Sequence, residues 1–238
     1  MIYHLSYASD NMTKSLELCR QSALRHGCNA TFHMSIDPIF AETNKHILSQ
    51  PRGAGYWLWK PYIIHRAIDG AYDGDYYVYT DAGVEFISNI SHIIDVMEWQ
   101  KSDVFLFGNN YQHREWCKRE VFDAMGCRDG HQVQASVMIF KVSDFALQVA
   151  NEWLSWCQVG NYIDDNCGSH QYPSFKQHRH DQAILTAVAQ AHNIPLHWWP
   201  ASYNDGAFIY DKGTYTDNYP VIFNHHRKRN NEWLLSDN

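Results

Sequence analysis

The hydrophobic and polar positions fall into short runs that predict strands alternating with helices. Ile2 to Tyr7 reads as a strand, and a helix is expected from about Thr13, with Ser9, Asp10 and Asn11 as caps and Gly27 as a stop. Ala30 to Ile36 reads as a second strand closed by Asp37-Pro38, so the chain opens β-α-β, the signature of a parallel sheet. A helix from Pro61 to Ala71 leads into Asp75 to Asp81, a strand rich in β-formers. Further on, Ile90 to Trp99 is predicted helical, Asp103 to Phe107 and Gln134 to Lys141 extended, and Val142 to Trp156 an amphipathic helix. His180 to His192 is a further helix, followed by extended segments at Pro195 to Trp199 and Val221 to Asn224 and then a polar, basic tail. The pattern has no repeat and no low-complexity linker, which favours a single α/β domain over residues 1–238.

Composition narrows the function more than the fold. Hydrophobic residues make up 45% of the 238 and charged residues 19%, as in a soluble globular protein, and no apolar run is long enough to span a bilayer. A formal charge of −7 argues against a nucleic-acid binder. The N-terminal residues lack the pattern of a signal peptide, and the six cysteines are scattered with no C-x-x-C pair. A reducing, cytoplasmic setting is therefore expected, with no zinc held by cysteine. Nine Trp among 15% aromatics suit sugar rings, although a packed core explains them equally well.

Four segments carry candidate chemistry. Tyr79-Thr80-Asp81-Ala82-Gly83 closes a strand that reads as buried; a carboxylate at such a strand end can hold a divalent cation, and Asp81 can equally begin a simple turn. Arg52 to Pro61 places Arg52 and Lys60 around Trp57 and Trp59 at a helix start, suited to an anion, yet it lacks a dinucleotide fingerprint because Leu58 stands where the third Gly belongs. In His178-Arg179-His180-Asp181-Gln182, Asp181 serves as a general base or as a helix cap, and the His178-x-His180 pair is a third-ranked metal reading. Asn224 to Arg229 offers His225 as a cation ligand and basic side chains for a leaving diphosphate, or else a solvated tail.

Taken in order, these segments resemble the GT-A glycosyltransferases. The resemblance is to small enzymes of polysaccharide clusters and large DNA viruses that carry R-G-x-G-Y-W-x-W-K-P, Y-x-D-A-G and H-R-x-D-Q, matched here by Arg52 to Pro61, Tyr79 to Gly83 and His178 to Gln182. It implies an α/β, Rossmann-related GT-A-like domain with a mostly parallel central sheet flanked by helices. A nucleotide-sugar-binding half would cover about residues 1–110 and an acceptor-binding, catalytic half about 111–238. The implied donor is a nucleotide sugar, a UDP-sugar, bridged by Mn²⁺ or Mg²⁺; the implied acceptor is a glycan or glycoprotein hydroxyl.

The same resemblance assigns roles. Asp81 stands where the family has its D-x-D acid, although neither Tyr79 nor Gly83 supplies a second one, and His225 matches a C-terminal metal ligand. Asp181 matches the base of inverting members. Leu5, Ser6 and Tyr7 would lie by the nucleotide base, with Arg52, Trp57, Lys60, Asp81, Ala82, Gly83 and Arg227 around the rest of the donor. On the acceptor side, a helix from Trp116 to Gly126 bringing Trp116 and Arg119, together with Asp164 and His180, is expected. Two other classes remain in view: a glycoside hydrolase using carboxylates such as Glu85 and Asp181, and a non-catalytic carbohydrate-binding module.

Overall fold

A computed structural model describes residues 1–203 and 218–233. Strands β1 (Ile2–Ser6), β2 (Ala30–His33) and β3 (Tyr76–Thr80) lie parallel. With β5 (Val104–Gln112), β6 (His131–Lys141) and β7 (Leu196–His197) they form a six-stranded sheet of order β2-β1-β3-β6-β5-β7. Only β6 runs against the others, pairing antiparallel with both β3 and β5. Its residues 132 to 140 are all buried, so the strand is covered on both faces and its direction leaves no mark in the pattern. A small second sheet joins β4 (Val84–Phe86), β9 (Phe223–His225) and β8 (Ala201–Ser202), in the order β4-β9-β8.

The helices are α1 (Thr13–Arg25), the short turns α2 (Pro38–Thr43), α3 (Lys45–Leu48) and α4 (Gly53–Tyr56), then α5 (Trp59–Ile68) and α6 (Ser91–Gln100). After them come α7 (His113–Trp116), α8 (Arg119–Ala124), α9 (Asp144–Cys157) and α10 (His180–Ala191). Alternation along β3 divides its side chains between two cores. Tyr79 faces α5, α9 and α10, where Ile63, Trp153 and Ile184 are fully buried. Tyr76 and Val78 face the opposite core, with Cys19, Ile93 and Phe105. Burial of this kind, at roughly 25 cal/mol per Å² of apolar surface, is what holds three layers together.

The continuous helix expected from Trp116 to Gly126 is broken. Cys117 adopts extended backbone (φ −128°, ψ 127°), as does Lys118, because Lys118 turns its side chain inward. Strands β4 and β8, three and two residues long, were not anticipated. Among the described residues no helix is long and apolar enough to cross a membrane.

Candidate active site

A cleft of about 910 Å³ opens at the carboxyl ends of β1 and β3, the edge where open α/β sheets bind ligands. Residues following β1 (Tyr7, Ser9, Asn11), those following β3 (Asp81 to Gly83), turn α4, the start of α10 and the end of β9 all line it. A buried polar knot fixes the two strand ends: the Ser6 hydroxyl donates to the Thr80 carbonyl at 2.8 Å, and His4 Nε2 lies 2.8 Å from Thr80 Oγ1. The small sheet then lays the C-terminal segment beside Asp81. Arg227 N–H donates to the Gly83 carbonyl at 3.0 Å, and a Cβ on Gly83 would stand 2.8 Å from the Arg227 Cα. Gly83 is therefore required for this close approach of two backbones.

At the floor sits Lys60, 3% exposed. Its ammonium donates to the Ala135 carbonyl at 2.8 Å and lies 3.1 Å from Asp81 Oδ1 and 3.6 Å from Asp181 Oδ2. Burial pulls its pKa down, but the charges of Asp81 and Asp181 outweigh burial and hold it above the ordinary lysine value. The expectation that Lys60 neutralises a phosphate thus meets a lysine whose charge is already shared between two carboxylates. Asp81 also accepts the Tyr79 hydroxyl at 2.7 Å.

Asp181 occupies the first turn of α10 without capping it. It is 4% exposed, and its Oδ2 makes no hydrogen bond among the described residues. Burial raises its pKa to about 6, against the opposing pull of Lys60 and with a further push from Asp81. A buried carboxyl aimed into a cleft and titrating near neutrality has the properties of a general base.

The wall formed by turn α4 is unusual. Five successive residues, Gly53 to Trp57, have positive φ: 60°, 50°, 95°, 51° and 61°. L-residues adopt this region at a cost of roughly 1–2 kcal/mol each, so three non-glycines store several. Packing offsets the strain. The Trp57 ring covers Gly53, where a Cβ would be 2.4 Å from it; Trp59 Nε1 donates to the Gly53 carbonyl at 3.0 Å; and Tyr56 stacks on His180 at 5.0 Å.

The structure gathers Tyr7, Trp57, Lys60, Asp81, Ala82, Gly83, His180, Asp181, His225 and Arg227 around one cleft, as the sequence suggested. It leaves others outside. Leu5 is fully buried in the core, and Ser6 is spent on Thr80. Arg52 pairs with Asp165 at 2.8 Å, Trp116 stacks on Tyr111, Arg119 pairs with Asp123, and Asp164 pairs with Lys118. None of these six lines the cleft.

Arg179 and Arg229 line the cleft with Arg227; the sequence reading covered Arg229 only among the basic side chains of Asn224 to Arg229 and gave Arg179 no role. Among the described residues none of the three stands in an ion pair, whereas Arg52 and Lys60 do; Arg179 stacks over the Tyr111 and Trp116 rings, and Arg227 Nε donates to His225. Arg179 lies inside the His178 to Gln182 motif already singled out, and that membership was the available signal.

For a cation, the donors are sparse. Among the described residues no group of three His, Cys, Asp or Glu side chains is placed to hold a metal ion. Asp81 Oδ1 is occupied by Tyr79 and Lys60, which leaves Oδ2. His225, driven to a pKa of about 3 by burial and by Arg227, is neutral; its Nε2 accepts from Arg227 Nε at 3.3 Å, and its Nδ1 has no described partner. Asp81 Oδ2, together with His225 Nε2 once Arg227 releases it, fits a cation that takes its other ligands from phosphate and water, as Mg²⁺ and Mn²⁺ do. They do not make a closed protein cage.

With this geometry in view, solved structures supply a comparison. The chain superposes on the bifunctional glycosyltransferase WbbM with a TM-score of 0.56 at 13% identity, over 95% of this chain and 46% of that one. It superposes on the galactosyltransferase LgtC, solved with donor and acceptor sugar analogues, at 0.51 and 15% identity, over 95% of this chain and 87% of that one. A glycosyltransferase involved in glycosylation of the major capsid of PBCV-1 gives 0.52 at 13% identity, covering 97% and 96%. The chain has a GT-A glycosyltransferase fold. No family model and no curated protein matches it at the sequence level. The GT-A likeness is thus one of architecture, and this chain's chemistry has to be read from its own residues.

Proposed function

We propose that this chain is a glycosyltransferase that moves a sugar from a nucleoside-diphosphate donor, a UDP-sugar, to a hydroxyl of a glycan or glycoprotein. The observation that carries the reading is Asp181: a buried carboxylate with a pKa of about 6, whose Oδ2 has Lys60 at 3.6 Å but no hydrogen bond among the described residues, in a cleft also lined by three arginines. Arg179, Arg227 and Arg229 give charge-assisted hydrogen bonds to the diphosphate. Tyr7 and Trp57 offer aromatic faces at the cleft wall. Asp181 accepts the proton of the acceptor hydroxyl as that oxygen attacks the anomeric carbon and the nucleoside diphosphate departs. Lys60 keeps Asp81 and Asp181 from repelling each other. Asp81 and His225 would hold Mn²⁺ or Mg²⁺, which when bound supplies neutralising charge to the diphosphate.

We assign the protein to the cytoplasm, a reading supported by its six free cysteines. The hydrolase alternative loses support because Glu85, the expected partner carboxylate of Asp181, does not line the cleft. A thermal-shift panel of UDP, GDP, CDP and ADP, with and without MnCl₂, tests the proposal. A nucleotide at about a hundred times its dissociation constant stabilises by roughly 2.7 kcal/mol. Stabilisation by one diphosphate supports the donor reading, and growth of the shift with Mn²⁺ supports the Asp81–His225 site. Stabilisation by free glycans alone would replace the transferase with a binding module.

A further inference from the structure

Between α9 and α10 the chain runs from residue 158 to 179 without a strand or helix. A connection this long lacks the ladder hydrogen bonds that order a backbone and needs some other centre. That centre is Lys118, which enters from the break between α7 and α8 and is fully buried. Its ammonium shares its three N–H groups among four oxygens: the Asn161 carbonyl, the Asp164 carbonyl at 3.0 Å, Asp164 Oδ1 at 2.9 Å and the Asn166 carbonyl at 3.0 Å. Its backbone N–H donates to His178 Nδ1 at 3.2 Å, tying down the far end of the same connection. Carbonyls and a carboxylate converging on one point are the donor set with which loops hold metal cations. Here the cation is the protein's own side chain.

The organised loop leads directly to the cleft. The Ile163 carbonyl accepts from His180 Nδ1 at 2.7 Å. Asp165 pairs with Arg52 at 2.8 Å, at the foot of the left-handed turn, and its Oδ1 lies 3.5 Å from His180 Nε2. The His180 ring in turn carries Tyr56 and Trp57.

We propose that Lys118 is a positioning residue: an internal cation that shapes the 161–166 loop and, through Ile163 and the Asp165–Arg52 pair behind the cleft, sets its His180–Trp57 wall. Its consequence for ligand binding rests on the donor-site reading above; its effect on the loop does not. Lys118→Ala leaves a lysine-shaped space lined by those oxygens, which a small alkylammonium ion can refill.

The test compares wild type, Lys118→Ala and Asp164→Asn. Tryptic cleavage at Lys176 and Arg179 reads the loop, and titration with UDP and MnCl₂ reads the cleft. In Lys118→Ala, cleavage at least tenfold faster and at least tenfold weaker UDP binding are expected. Ethylammonium chloride should reverse both effects saturably, while sodium chloride at equal ionic strength should not. Asp164→Asn, which keeps the side-chain shape, should show a smaller loss of protection and carries the test if Lys118→Ala does not fold. Wild-type protection in Asp164→Asn, or in a folded Lys118→Ala, would overturn the proposal. So would a folded Lys118→Ala whose loosened loop ignores ethylammonium, since the lysine would then act by bulk alone. If wild type binds none of the four diphosphates, the donor reading fails, and the cleavage and amine arms still decide the role of Lys118.

Discussion

Replacing Asp181 with Asn separates the stability of this fold from its chemistry. The carboxyl is 4% exposed, and burial holds its pKa at about 6 rather than at the ordinary aspartate value of 3.8. A carboxyl raised on folding favours the folded state while it is protonated in both states; that contribution is lost as pH rises from the unfolded value through the folded one. At about 1.36 kcal/mol per unit, the wild-type protein forfeits roughly 2–3 kcal/mol between about pH 4 and pH 6, and the loss stays constant above that window. Asp181→Asn removes this slope. It also takes one carboxylate from Lys60, which retains Asp81 and the Ala135 carbonyl and hands back part of the gain.

The decisive observable is therefore the pH dependence rather than one stability value. Urea unfolding at pH 4.5, 6 and 7.5 should show the variant gaining on wild type as pH rises, then levelling. Turnover with the donor identified by the diphosphate panel should rise through pH 6 in wild type and fall about a hundredfold to ten-thousandfold in the variant. Parallel stability curves for the two proteins would mean that Asp181 is ionised and satisfied in the folded state, and the base assignment would go with them.

Three further expectations can be checked with the same protein. Ala54→Gly relieves a φ of 50°, and after the greater chain entropy of glycine is subtracted it should stabilise by about 0.5–1 kcal/mol in urea; a destabilised variant would show that the left-handed turn carries no strain. Gly83→Ala forces its new methyl against the Arg227 backbone and should cost about 1–3 kcal/mol together with UDP affinity; an unchanged melting temperature would contradict the close approach. Arg227→Gln should weaken UDP binding by about 1.5–3 kcal/mol and flatten its salt dependence, and calorimetry at two ionic strengths reads both; equal affinity would remove Arg227 from the diphosphate contacts.

The sequence pattern located most of the main strands and long helices within a few residues, because strong alternation and capping residues mark them. It put Asp81 at the carboxyl end of a strand, and the structure has it one residue past β3. Strands β4 and β8 were too short to leave a period, and β6 reads the same in either direction because it is buried on both faces. Charge was the harder matter. Lys60 and Arg52 were read as ligands for an anion because a sequence states that a charge exists and not which partner takes it. Lys60 did carry a warning, since it lies in an apolar stretch with Trp59, Tyr62 and Ile63, where a lone ammonium requires carboxylates nearby. The five-residue left-handed turn was signalled only by Gly53 and Gly55; its non-glycine members are imposed by the packing of Trp57 and His180.

The pairing of β9 with β4 has a consequence for how the folded chain comes into being. A chain is made from its N-terminus, so the floor of the cleft, with Lys60 and Asp81, can assemble while the ribosome is still far from residue 223. Until β9 arrives, β4 lacks its hydrogen-bonded neighbour, and a bare strand edge invites pairing with other chains. His225 and Arg227 arrive with the same segment that covers that edge. Completion of the cleft and protection from aggregation are therefore acquired in one late step, and a chain stopped short of residue 223 should lack this wall of the cleft and be sticky.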